Sequence, residues 1–500
     1  MPGLFNYYEN VLGLDLADIK YVDADIAKLD LGEIKYQLAF GDAVIEIAAT
    51  GSLFRYKIVG GSFHGRVGTT KKKIPTRATP ILRFSMIDVQ QADGMVLETP
   101  QGELITIDGG DTVLFARHLA ARYSGTSEAH PLEVDAMIIT HGDADHFRGL
   151  KEIVESEKET DPRRLRKRLF LHPARVLHNG LIKGPSSLSQ ADRFGEKKTG
   201  ADGEKYVTEL EENIFEVPDG RMNKDFRDWR DALVHWNDRR RRHSLPDIVF
   251  TRVDQTSDVF EQFETADMKY ALYGPIIGEV DGAPALELLK KPKKQVDLHL
   301  EDDAATTGSI SASHTINGHS IAFKIKYKNV RISLTGDLNQ QAMAKIDAAL
   351  PGFDFKAEVL KAPHHGSDDF DMEMLRKTEP VVSMISSGDE NAFHEHIHPR
   401  ATLVSALGKV SRGDNGVIFM TELAAFFRYR GLVEDQKVSP GDNKFFHGFE
   451  RTNFGIIHIR TDGKRLLAFT HSGKKGMNEA YRFEVENNGV ATSEKLKTVS

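Results

Sequence analysis

Three observations predict a layered α/β fold. Strand-like and helix-like segments alternate along most of the 500 residues. Acids and histidines crowd directly after the apolar strand-like runs, where α/β folds gather ligands. The composition is globular, 40% hydrophobic with 42 glycines and 28% charged, which supplies a core and excludes wholesale disorder. The length suggests two or three structural units.

Residues 1–80 form a mixed lead-in with a strand-like run at 44–49, closed by the Lys- and Pro-rich loop 69–80. The main unit is expected over 81–425. Its opening segment reads as strand, Pro-Gln-Gly turn, strand. The continuous apolar run 134–140 suits a buried strand, and 147–156 has helical spacing. The polar, irregular stretch of about 157–305 is expected to be an added module or long lid, with one helix at 224–243 that spaces Phe226, Trp229, Leu233 and Trp236 helically. A hairpin with Lys-Asn at its turn follows at 320–337, then helix 341–350 and further strand–helix pairs to about 415. Residues 426–500 read as a β-rich extension.

There is no cysteine, so disulfides, thiolate metal sites and cysteine nucleophiles are excluded and any metal must be held by His, Asp and Glu. Net charge is -8, which excludes a generally basic nucleic-acid coat. The sequence contains no run of 18 apolar residues and does not open like a secretory signal, so a cytoplasmic protein without membrane insertion is expected.

The densest chemical signal is ITHGDADHFRGL (139–150), which packs His141, Asp143, Asp145 and His146 into six residues after a strand. Imidazole and carboxylate are the ligands available to zinc or manganese here; helix-capping aspartates on a solvated loop are the bland alternative. SLTGDLNQ places Asp337 after a second strand, and LKAPHHGSDD places His364 and His365 after a third. Each alone is compatible with a turn aspartate or a core imidazole, but three such segments together point to a metal site.

On these motifs the chain resembles the metallo-β-lactamase-fold hydrolases, in the branch similar to the soluble hydrolase domain of the DNA-uptake protein ComEC. The resemblance covers about residues 81–425 and rests on FSMIDVQQADGMVLETPQGELITIDGG, THGDADHFRGL, SLTGD, LKAPHHGS and SSGDENAFHEHIHP in that order. It implies a four-layer αββα sandwich with a large insertion and N- and C-terminal extensions. It also implies two divalent ions, manganese or zinc with magnesium also compatible. His141, Asp143 and Asp337 would hold one; Asp145, His146, Asp337 and either His364 or His365 would hold the other, with Asp337 bridging. Asp108 would orient ligands from behind. His319 is the candidate in the third ligand motif. Asp143 stands where the fold usually has an imidazole, and its harder oxygen shifts preference toward manganese or magnesium.

Around the metals, His398 is expected to face substrate and act in catalysis beside Asp145 and Asp108. Lys361, Ser367 and Asn391 are candidates for phosphate contact. Arg163–Arg168 and Arg239–Arg242, the latter close to Trp229 and Trp236, suit phosphate contact and base stacking; a solvated helix face is the plainer reading. The function expected is a dinuclear metal-dependent phosphodiesterase acting on nucleic acid. Hydrolysis of a small phosphodiester or nucleotide messenger is the second reading, and a binding or scaffold protein with a degenerate metal site the third.

Overall fold

The computed structural model describes residues 1–90, 92–292, 307–388, 398–412, 416–422, 426–434, 445–453, 455–472, 477–487 and 489–498. Two sheets face one another. The first has ten strands. Starting from one edge they are Val249–Arg252, Arg175–His178, Ala136–Ile138, Leu104–Ile107, Met95–Glu98 and Leu82–Ile87, continued by Gly455–Thr461, Arg465–Ser472, Met477–Glu486 and Gly489–Lys495. The second has six: Met268–Gly274, Ala322–Tyr327, Val330–Leu334, Val359–Lys361, Val382–Ile385 and Val417–Met420.

The interior is a single apolar layer fed from both sheets. Phe84, Leu97, Ile105 and Ile138 of the first meet Phe323, Ile332, Val359 and Met384 of the second, all buried. Each sheet carries helices on its outer face. Leu114–Arg122 and Lys224–Arg242 close one core, and Gln340–Ala349, Met372–Thr378 and Ala401–Val410 close the other. The layer order is therefore helix, sheet, sheet, helix, as expected for a four-layer sandwich. The central strands Met95–Glu98, Leu104–Ile107, Ala136–Ile138 and Val382–Ile385 are buried at every residue, as expected for strands covered on both faces.

Of the stretch 157–305, residues 293–305 lie outside the described residues, and the part up to 292 is not a detached module. Arg175–His178 pairs in parallel with Ala136–Ile138, and Val249–Arg252 pairs in parallel with Arg175–His178. Met268–Gly274 forms the edge of the second sheet against Ala322–Tyr327. These strands are short and embedded in polar sequence, so no periodicity announces them. The helix Lys224–Arg242, capped by the Asn223 side chain on the Phe226 N–H, buries Phe226, Trp229, Leu233 and Trp236 in the core. The C-terminal strands likewise complete the first sheet, with Gly455–Thr461 running antiparallel to Leu82–Ile87. Residues 19–77 build a separate seven-stranded antiparallel sheet. Arg465 ties it to the main body by ion pairs to Asp23 and Asp25, and Arg460 by one to Asp42.

The arginine row at 239–242 is not an open cationic track. Arg239 is fully buried and bonds Glu128, Glu157 and the Leu171 carbonyl. Arg240 is buried against the Pro246 carbonyl and His172. Arg241 pairs with Asp247 and Arg242 with Glu128. The first basic run is also partly engaged, since Arg163 pairs with Asp161 and Arg168 lies over the Phe170 ring. Both tryptophans are core residues rather than stacking platforms.

Candidate metal centre

The site lies where strand ends of both sheets meet. Asp145, His146, Asp337 and His365 bring one ligand atom each to within 4.8 Å of one another. Asp145 and His146 open the short helix Ala144–Phe147 beyond Ala136–Ile138. Asp337 follows Val330–Leu334 at a turn through Gly336, and His365 follows Val359–Lys361. Gly336 has φ +51°, and a Cβ there would sit 2.6 Å from the Ser320 side chain, so the tight approach of these loops requires glycine.

The histidine protons can be assigned from their partners. His146 Nδ1 lies 2.8 Å from Asp108 Oδ2, a carboxylate that only accepts. Nδ1–H therefore donates, and Nε2 is left as a bare lone pair, 3.3 Å from Asp337 Oδ2 and 4.0 Å from Asp145 Oδ2. Asp108 is itself held by the Thr140 N–H and hydroxyl, both at 2.8 Å. His365 faces a second carboxylate, but without hydrogen-bond geometry, so its Nδ1 as well as its Nε2 is unsatisfied. Its Nδ1 is 3.4 Å from Asp93 Oδ1, and its Nε2 is 3.0 Å from Asp337 Oδ2 and 3.3 Å from Asp145 Oδ2. His141 Nδ1 lies 3.2 Å from Thr140 Oγ1 and 3.3 Å from Ser320 Oγ. The Thr140 hydroxyl donates to Asp108 and the Ser320 hydroxyl to the Asn317 carbonyl. Both oxygens therefore accept from His141 Nδ1–H, and its Nε2 is also bare.

Two imidazole lone pairs and two carboxylates converging in a buried space fit a divalent cation. By hydrogen-bond geometry His146 Nε2 and His365 Nε2 are buried and unsatisfied. The electrostatics agree. Burial alone would raise the Asp337 carboxyl, but the charges of His365, His146 and Lys361 outweigh it and hold it well below the usual range. Burial alone would depress His146 and His365, but Asp337 and the neighbouring carboxylates push both well up. The carboxylates draw protons to the two Nε2 atoms, and a divalent ion bound among them would take the place of those protons and leave the lone pairs for ligation. Burial, reinforced by His146, pushes His141 well down and keeps it neutral. Burial raises Asp108 despite the opposing His146 charge.

Backbone strain sits at the same place. Asp108, His364 and His365 have φ of +56°, +45° and +51°, left-handed conformations that cost non-glycine residues of the order of 1–3 kcal/mol each. The folded surroundings hold these side chains at the centre in spite of that cost.

Of the expected ligands, Asp145, His146, Asp337 and His365 form the group, and His365 rather than His364 is its member. His364 Nε2 lies 3.9 Å from Asp337 and closer, 3.2 Å, to Asn317 Nδ2. His141 faces the group with its ring centroid 3.9 Å from that of His146. Asp143 is outside the group and ion-paired with Lys183. His319 does not belong to the centre, because its Nε2 bonds the Glu287 carbonyl at 2.7 Å on the far side of the loop. Lys361 is fully buried and ion-paired to Asp93 and Asp337 at the base of the site. Asp108, also fully buried, acts on His146 and not on substrate. Ser367 is buried, and its oxygen accepts the Asp369 N–H. The His398 ring is 5.8 Å from that of His364, on the approach to the centre. Asn391 lies outside the described residues.

Two functional positions escaped the sequence reading. Asp93 backs His365 as Asp108 backs His146, and Lys183 holds Asp143. For Asp93 the available signal was an acid in a short Gly-ended loop between two buried strands. The 224–242 helix also packs against the loop of the site, since a Cβ on Gly142 would lie 2.5 Å from Phe226 and the Phe226 ring lies tilted against that of Phe147, with centroids 4.9 Å apart.

The layered fold and this ligand group are similar to those of the metallo-β-lactamase-fold, metal-dependent hydrolases. Residues 87–184, which carry the Asp108 and His141–His146 segments, match the Metallo-beta-lactamase superfamily. More particularly, the chain is similar to ComE operon protein 3 of Bacillus subtilis (strain 168), with 29% identity over 130 residues. That alignment covers 25% of this chain and 15% of the relative. Among the described residues no helix is long and apolar enough to cross a membrane.

Proposed function

We propose that the protein is a metal-dependent phosphodiesterase. The observation that carries this reading is the buried Asp145–His146–Asp337–His365 group with a carboxylate behind each histidine. A divalent ion bound there would supply Lewis-acid activation of water and of a phosphoryl oxygen. The chain's own contribution is positional. Asp108 fixes the ring orientation and tautomer of His146, Asp93 places a negative charge beside His365, Lys361 holds Asp337 and Asp93 in register, and the strained 364–366 turn aims His365. His398 and Asn317 stand near His364, where a substrate oxygen would find donors.

Nucleic acid is the substrate that the resemblance to the DNA-uptake branch favours. A small phosphodiester is favoured by a specific observation, that the arginine row meant to track a polyanion is buried or paired. Incubating the protein with labelled single-stranded DNA, duplex DNA, RNA and a small chromogenic phosphodiester, each with Mn, Zn and Mg, separates the readings. Cleavage of the small diester alone retires the nuclease, and cleavage of none with any metal retires the phosphodiesterase.

A further inference from the structure

The two acids of the 141–146 loop do not share one environment. Asp145 joins the four-residue group, whereas Asp143 is held by a cation of the protein itself. Lys183 Nζ ion-pairs with Asp143 Oδ1 and lies 3.1 Å from Ser313 Oγ. The Lys183 side chain is only 8% exposed, and its backbone is fixed where the Asn223 N–H donates to the Lys183 carbonyl at 3.0 Å. Three separate segments therefore place this ammonium against Asp143. Taking an ammonium and a carboxylate out of water is unfavourable unless they pair closely, so the contact is a built feature and not a chance surface encounter.

The resemblance assigns a second ion to His141, Asp143 and Asp337. The Lys183 ammonium already neutralises the Asp143 carboxylate, and it would repel a dication at the same point.

We propose that Lys183 makes the centre asymmetric: Asp145, His146, Asp337 and His365 take one divalent ion tightly, and Lys183 competes with a second ion for Asp143. This rests on reading the four-residue group as a metal site. The protein then works with one resident ion and an internal cation beside it, and a second ion joins only at high concentration.

The test is calorimetric titration of the full-length, metal-stripped protein with Mn²⁺ alone. The wild type is expected to bind one ion per chain tightly and a second at least about 100-fold more weakly. In Lys183→Met the second step should tighten by about tenfold or more with the first nearly unchanged, and Lys183→Arg, which keeps the charge, should behave like wild type. Two equally tight ions in the wild type overturn the proposal, and that result needs no variant to fold. An unaltered second step in a folded Lys183→Met also overturns it. Absence of any tight ion would remove the metal-centre reading itself, a different failure from equal occupancy.

Discussion

Lys361, the last residue of a strand in the second sheet, ion-pairs with Asp93, which stands in a loop of the first sheet, and both side chains are fully buried. The pair joins the two sheets under the ligand group. Asp93 also faces His365, and Lys361 also faces Asp337 at 3.4 Å and donates to the Gly336 carbonyl at 2.7 Å. One interaction therefore fixes two ligands that arrive on different loops.

Removing Asp93 takes the closer of two carboxylate partners from the buried Lys361, which keeps only Asp337 at 3.4 Å. Asp93→Ala should lower stability by about 3–5 kcal/mol. The double variant Asp93→Ala/Lys361→Met should be less destabilised than the sum of the singles. Urea unfolding of the four proteins measures this, and simple additivity would mean that the pair is not coupled.

Asp108 acts through His146. Asp108→Asn should weaken metal binding by about 10–100-fold, because an amide no longer anchors the Nδ1–H tautomer as a carboxylate does. Competition with a fluorescent chelator reads the loss. Unchanged affinity would show that the ring is held by packing alone.

The arginine row should divide by burial. Arg239→Ala strands Glu157 and should cost about 3–5 kcal/mol, whereas Arg241→Ala on the exposed side should cost less than about 1 kcal/mol. Thermal or urea unfolding distinguishes them. Equal small effects would restore the row as a free surface.

A packed trio of imidazoles predicts acid sensitivity. Burial, assisted by the charge of His471, pushes His118 down to about 4 from 6.5. Burial likewise pushes His471 down to about 4, and burial and Arg460 push His458 well down. The folded values lie below the unfolded ones, so the unfolded chain binds more protons between 6.5 and about 4. This contribution to stability is complete above pH 6.5 and is lost as pH falls through that window. His118→Gln should therefore show a shallower fall in urea midpoint between pH 6.5 and 5 than wild type. A steeper or equal fall contradicts the assignment.

How far the sequence disclosed all this depended on the range over which each signal acts. The sandwich core was legible because the apolar run 136–139 suits a strand buried on both faces, and the Lys-Asn turn marks the hairpin within 320–334. Asp145, His146 and Asp337 were legible because each follows such a strand. The choice between His364 and His365 was not, since adjacent residues share every sequence cue and only the left-handed turn separates their directions. Asp93 was missed because its partners, Lys361 and His365, lie far along the chain. The arginine row misled for the same reason, as Glu128 and Glu157 are distant in sequence, and a run of like charge does not reveal what neutralises it. The strands at 175–178 and 249–252 were hidden by brevity, and with them the fact that 157–305 helps build the first sheet.

The most direct test of the account is metal-restored hydrolysis. Protein stripped with chelator should not cleave bis(p-nitrophenyl) phosphate, and activity should return as Mn²⁺ is added back. Asp337→Ala, which removes the carboxylate facing both His146 and His365, should stay at background at any Mn²⁺ concentration while remaining folded by circular dichroism. Full activity in the stripped wild type, or in folded Asp337→Ala, would contradict the assignment of Asp145, His146, Asp337 and His365 as the working metal centre.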